Sequence, residues 1–123
     1  MSPAYLFVYG TLRRGSRNPH ALMLEAESRM VGEARMHGRL YDLGRYPAAV
    51  LSNVASDWVQ GELLRLDRPE ELLAKLDAYE GPQYARVPQK IYGASGTRLA
   101  WVYVFRGARK PGRRIASGEW KVK

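Results

Sequence analysis

Cysteine is absent from the chain. That excludes disulfides, thiolate metal sites and a cysteine nucleophile, and it is compatible with the cytoplasmic location expected here. Histidine is nearly absent too. His20 and His37 are the only two, they stand in no HxxxH or HExxH pattern, and no acid cluster accompanies them, so no metal site is expected. No serine occupies a nucleophile-elbow pattern. No glycine triad or phosphate-loop lysine is present, so nothing in the chain points to a nucleotide. No apolar run approaches the roughly 20 residues of a membrane span. Residues 1–9 lack a charged leader and read as a first strand rather than a signal peptide.

What is present suits one domain spanning residues 1–123. The chain is long enough to bury a core, and 46% of it is hydrophobic. Its formal charge of +8 is unevenly placed. From residue 106 onward there are seven basic residues against one acid, Glu119, so this tail carries +6. The tail reads as a solvated terminus with, at most, a nonspecific and salt-sensitive attraction to polyanions. No nucleic-acid motif accompanies it.

Periodicity gives the elements. Residues 5–9 form a buried strand that stops at Gly10. Residues 13–19 are loop, and Asn18 caps a short helix over 20–25 with Pro19 at its first position. Residues 30–43 form a bent strand with Gly32 or Gly38 at a bulge or close approach. A turn over 44–47 leads to a strand over 48–54. Residues 58–66 alternate, Val59 and Leu63 on one side, Leu64 and Leu66 on the other. Residues 68–79 make the clearest helix: Pro69 in its first turn, Glu70 and Glu71 at its positive end, and Leu72, Leu73, Leu76 and Tyr79 on one face. Gly81-Pro82 ends it. Strands over 84–92 and 99–105 make a hairpin, and the chain after Gly107 reads as irregular. The order predicts an α+β fold, a small and mostly antiparallel β-barrel with one main covering helix.

Three places carry candidate chemistry. A strand ending at Tyr9-Gly10-Thr11-Leu12 leaves backbone N–H groups that can cradle an anion, although most such sequences are only turns. Gly10 is expected to supply a positive φ and a close approach. Glu80, at the unfavourable end of its helix dipole, would have a raised pKa if buried, or be an ordinary exposed last-turn residue if not. Tyr84, Trp101, Tyr103 and Trp120 form an aromatic set. Trp101, Tyr103 and Phe105 share one strand face, which is core or pocket wall. The inward side of a small barrel is crowded for three aromatics, so one of them is expected to border an opening.

These pieces together resemble a known family. Phe7-Val8-Tyr9-Gly10-Thr11-Leu12-Arg13-Arg14-Gly15 is similar to the N-terminal signature of the γ-glutamylcyclotransferase-like superfamily in its AIG2-like branch. Gly38 to Gly44 with Tyr46-Pro47-Ala48, Val59 to Leu63, Leu76 to Gly81 with Tyr84 and Arg86, Ala100 to Val104, and Ile115 to Trp120 resemble its later segments in order. Glu119 stands where that branch often has aspartate, and Tyr79 fills a variable position. The resemblance implies a compact barrel with a central cavity and no cofactor. It implies that backbone amides of the Tyr9 to Leu12 loop hold the α-carboxylate end of a γ-glutamyl group, and that Glu80 is the acid/base. Glu80 should then face that loop, and Tyr84 or Tyr103 should offer a hydroxyl to the substrate. The implied partner is a small γ-glutamyl compound. A free γ-glutamyl amino acid, a γ-glutamyl-amine, a crosslinked ε-lysine product and a carrier-bound γ-glutamyl group all share the reacting end. A binding module that kept the cavity without turnover is the alternative.

Overall fold

The computed structural model describes residues 3–13, 15–107 and 112–121. Its elements are β1 (Tyr5–Val8), α1 (Pro19–Ala26), β2 (Ser28–Asp42), β3 (Pro47–Leu51), β4 (Trp58–Leu66), α2 (Pro69–Glu80), β5 (Tyr84–Gly93), β6 (Gly96–Phe105) and β7 (Arg113–Ile115). Five strands close into a barrel in the order β2-β4-β1-β6-β5. The ring shuts where β2 meets β5, Ala34 opposite Gly93 and Arg35 opposite Tyr92. Neighbours are antiparallel except β1 and β6, which pair in parallel at Leu6 and Trp101.

β2 is long enough to serve two sheets. Its first part pairs with β4, with a register shift between Met30 and Gly32, the bulge that the glycine there suggests. Its second part pairs with β3 and with β7. The side chain of Gly38 is missing for a steric reason: a Cβ there would lie 2.9 Å from the Val50 carbonyl oxygen across the β2–β3 pair.

β1 explains why its sequence is apolar without alternation. Phe7 points into the barrel with Met36, Leu40, Val59, Leu63, Ile91, Val102 and Trp120. Leu6 and Val8 point outward, under Leu24 of α1 and Leu72, Leu73 and Leu76 of α2. Both faces of the strand are therefore buried. α1 thus shares the covering role with α2, and Asn18 caps it as expected, accepting from the N–H groups of His20 and Ala21.

Two expectations are corrected. The Trp101–Tyr103 face of β6 does not look into the barrel. Ala100, Val102 and Val104 do, while Tyr103 packs outside, in the layer beneath the helices. A five-stranded interior already holding Phe7, Met36 and Trp120 has room only for small partners from β6. The chain after Gly107 is also not wholly irregular, since Arg113–Ile115 forms β7. Residues 108–111 and 122–123 of the basic tail lie outside the described residues.

β7 is tied down by a carboxylate that the sequence does not single out. Asp57 is buried and accepts from Arg39 Nε (2.7 Å), Ser52 Oγ (2.7 Å) and Arg114 Nη2 (2.9 Å). It thus links β2, the β3–β4 loop and β7. Arg39 first, then Ser52 and Arg114, hold its pKa down at about 2. A depressed carboxylate stabilises the fold fully above its ordinary value of 3.8 and loses that contribution as pH falls through about 2. Asp57→Asn should therefore melt below the parent at neutral pH. The gap should narrow across this acid window, which thermal melts in a pH series would read.

Candidate functional site

The site is built where β1 and α2 end. α2 begins with Pro69, Glu70 and Glu71 and seats Leu72, Leu73 and Leu76 on the outer face of the barrel. That packing carries its last residue, Glu80, to the end of β1. Gly81 then takes φ +76°, closed by its N–H to the Asp77 carbonyl. A left-handed glycine of this kind stops the helix and returns the chain toward β5. The same return brings Tyr84 back beside Glu80.

A cavity of about 170 Å³ lies between these pieces. Its walls include Gly10, Thr11 and Leu12 together with Glu80, Gln83 and Tyr84. The expected juxtaposition of the turn and the glutamate is therefore present. Among the described residues, no hydrogen bond engages the N–H of Gly10, Thr11 or Leu12; the turn is closed instead by Arg13 N–H on the Gly10 carbonyl, 3.1 Å. The cavity sits at the mouth end of β1 and not in the barrel's middle, which the core side chains fill.

Glu80 is half-buried, and its carboxyl is pushed from 4.5 up to about 7. Burial is the cause, because a carboxylate loses hydration there without gaining a cation. The helix end, expected to contribute, is not needed to account for it. Its negative form in turn raises the pKa values of its neighbours. Tyr84 stands at about 12, mainly through burial and then through Glu80. Tyr103 and Tyr9 are held well above their ordinary range, both chiefly by burial, Tyr103 then by Asp77 and Tyr9 then by Tyr84, with Glu80 adding last to each.

The hydroxyls of the predicted tyrosines have protein partners. Tyr9 donates to the Tyr103 carbonyl (2.6 Å) and accepts from Ala49 N–H (3.2 Å), so it stitches β1 to β6 and β3. Tyr84 donates to the Pro47 carbonyl, 2.9 Å. Tyr103 donates to Asp77 Oδ1, 2.7 Å. Asp77 also takes a two-pronged contact from Arg86, 2.8 and 3.1 Å, and the Arg86 guanidinium lies over the Trp101 ring at 4.3 Å. These contacts clamp the last turn of α2 to β5 and β6, one helical turn before Glu80.

Gly10 requires a correction. It is not among the glycines with positive φ. Its constraint is contact: a Cβ would sit 2.7 Å from Pro47 Cγ and 2.9 Å from Cδ. A proline ring cannot swing aside, so any side chain here displaces the turn. Gly10→Val should weaken binding of any ligand seated in this cavity by about tenfold or more, and far more than Thr11→Ser does. Titration calorimetry reads this, and equal dissociation constants for the two variants would show that the turn makes no ligand contact.

Sequence reasoning missed Tyr46 and Gln83 as cavity residues. Tyr46 had a signal, since it stands beside Pro47 in one of the recognised segments. Nothing in the local pattern marked Gln83. Trp120 belongs to the barrel core and does not line the cavity. Among the described residues, no group of three or more His, Asp or Glu could hold a metal ion, and no helix is long and apolar enough to cross a membrane.

Comparison with known proteins gives a consistent set. The family model described as gamma-glutamyl cyclotransferase, AIG2-like, matches residues 6–122. The chain is similar to the gamma-L-glutamyl-butirosin B gamma-glutamyl cyclotransferase of Niallia circulans, 37% identical over 81% of this chain and 65% of that one. It thus spans somewhat under two-thirds of that relative. The crystal structure of YkqA from Bacillus subtilis superposes with a TM-score of 0.77 at 30% identity, over 95% of this chain and 39% of that one. The solution structure of YtfP from Escherichia coli gives 0.64 at 36% identity, over 94% and 95%.

Proposed function

Because the chain belongs to the AIG2-like γ-glutamyl cyclotransferase family, we propose that it is a cyclotransferase, releasing 5-oxoproline and an amine from a γ-glutamyl-amine or γ-glutamyl amino acid. We read residues 1–123 as one domain acting in the cytoplasm. The observation that carries this reading is one cavity lined both by Glu80, a carboxyl that burial pushes up to about 7, and by the Gly10–Leu12 turn, whose amides are unengaged among the described residues.

In this reading the amides of Gly10, Thr11 and Leu12 hold the α-carboxylate. The γ-chain folds back so that the α-nitrogen meets its own γ-carbonyl carbon. Nucleophile and electrophile belong to one molecule, so fixing the folded pose removes much of the entropic barrier. Glu80 as carboxylate takes a proton from the α-nitrogen while the new N–C bond forms. The protonated Glu80 then gives that proton to the departing nitrogen as the old C–N bond breaks. A pKa of about 7 suits one group to both steps, because neither form is strongly favoured near neutrality. Arg86 and Asp77 neutralise each other beside the site, so the clamp adds no net charge that would favour the Glu80 carboxylate.

The test is a panel of γ-glutamyl amino acids and γ-glutamyl-amines, with 5-oxoproline followed by mass spectrometry. At least one member should yield 5-oxoproline and its free amine in equal amounts. Tight binding with no product would make the protein a binding module, and neither binding nor product would end the reading.

A further inference from the structure

Five tyrosines border the cavity, and four of their hydroxyls are committed to the protein. Tyr9, Tyr84 and Tyr103 hold the carbonyl and carboxylate partners given above. Tyr79 accepts from Asn18 Nδ2 at 2.7 Å, and the His20 ring covers one of its faces at 3.9 Å. Tyr46 differs. Among the described residues its hydroxyl has no partner, and it stays 47% exposed although it forms part of the cavity wall.

Tyr46 is not on a loose tip. Leu43 N–H bonds its carbonyl at 3.0 Å, and Gly44 N–H bonds Asp42 Oδ1 at 2.6 Å. The next residue, Pro47, is buried and lies against Gly10. A fixed turn therefore presents an aromatic ring to solvent at the opening of a cavity. Such a ring has apolar area left to bury and a hydroxyl left to pair.

The position indicates which part of a ligand would use it. In the reading above, the γ-glutamyl head lies between the Gly10–Leu12 amides and Glu80. What extends past them toward the opening is the leaving amine. Glu80 is the one charged side chain on the cavity wall among the described residues. Among the described residues the wall offers no second acid to hold a polycation, Asp77 behind Tyr103 is paired with Arg86, and the chain itself carries +8.

We propose that Tyr46 forms the leaving-group subsite and selects γ-glutamyl amides whose amine part has an aromatic or apolar body and no charge beyond the reacting nitrogen over those of polyamines. The inference rests on the cyclotransferase reading, and the following experiment separates the two. The parent, Tyr46→Ala and Tyr46→Phe are assayed with γ-glutamylbenzylamide, γ-glutamylmethylamide and γ-glutamylspermidine. Benzylamine is less basic than methylamine and leaves more readily, so the subsite is read from the change in their kcat/KM ratio between parent and Tyr46→Ala, in which the leaving-group chemistry is common and cancels. The parent should prefer the benzylamide to the methylamide by about tenfold, with the spermidine compound poorest. Tyr46→Ala should erase most of that ratio, and Tyr46→Phe should keep it, because the ring supplies the packing. A parent that favours the spermidine compound overturns the proposal. So does a Tyr46→Ala variant that leaves the ratio intact, whether both amides fall together or neither changes. If none of the three releases 5-oxoproline, the wider panel above decides the cyclotransferase reading. The same ratio taken from dissociation constants then still decides the subsite, and equal ratios for parent and Tyr46→Ala overturn it.

Discussion

Glu80→Gln should lose turnover by at least about 10²-fold on any γ-glutamyl substrate while gaining thermal stability. Glutamine keeps the shape of the side chain but cannot exchange the proton. The stability gain follows from the same burial. Glu80 has a folded pKa of about 7 against an ordinary 4.5. The folded state therefore holds its proton more tightly than the unfolded state. Below 4.5 both states are protonated and the cost vanishes. As pH rises through 7 the parent must keep a poorly hydrated charge in the fold, and its stability falls. Glutamine carries no charge at any pH. Allowing for solvent screening of a half-buried group, the variant should be more stable by about 2 kcal/mol above neutrality. At pH 4 the two proteins should melt together. Melting curves at both pH values, with 5-oxoproline release, test the two halves together. Parent-like turnover in the variant would remove Glu80 as the acid/base. A melting difference that does not depend on pH would contradict its raised pKa.

Gly61→Ala should be the most damaging small substitution on the barrel wall. Gly61 lies in β4, opposite Ala34 of β2 and beside β1. A Cβ there would collide with the Val8 carbonyl oxygen, and would lie 2.7 and 2.9 Å from Phe7 Cζ and Cε1. The carbonyl is backbone and the ring is fully buried at the barrel's centre, so neither can yield alone. β1 would have to part from β4, and β1 also delivers the Gly10 turn to the cavity. Overpacking of this kind costs about 1–3 kcal/mol and sometimes more. We expect the upper end, a fall in melting temperature of roughly 10 °C, together with weaker ligand binding. Gly93→Ala is the matched control. It also lies on a barrel strand beside Ala34, but its Cβ would meet nothing nearer than 3.7 Å. If Gly61→Ala melts with the parent, or no lower than Gly93→Ala, the collision is not real.

The sequence was most informative where one local rule acts alone. The alternation in residues 58–66 gave β4 with its end residues and the division of Val59 and Leu63 from Leu64 and Leu66. Asn18-Pro19 gave the start of α1, and Pro69 with Gly81 bracketed α2. The strand expected over 48–54 is shorter and begins earlier, at Pro47–Leu51. Ser52 leaves it to bond Asp57, a choice made by a residue five positions on. β7 was illegible because Arg113 and Arg114 carry no apolar alternation. It exists because the second half of β2 offers it an edge and Asp57 offers Arg114 a partner.

The candidate site divides the same way. The order of motifs placed Glu80 after an amphipathic helix and Gly10 after a buried strand, and hydrophobic periodicity required both elements to pack on one barrel. Those facts are local, set by side-chain spacing and backbone geometry, and a single chain carries them in full. Tertiary structure decided everything that depends on contact between distant segments. It turned Trp101 and Tyr103 toward the helices, because alternation separates two faces without saying which is inside. It made Gly10 necessary through Pro47 and not through φ. It took the hydroxyls of Tyr84 and Tyr103 for Pro47 and Asp77, and left that of Tyr46, on the cavity wall, without a partner among the described residues. Burial and hydrogen-bond pairing are properties of the assembled neighbourhood, so the raised pKa of Glu80 could only be fixed once the barrel, helix and turn had closed around it.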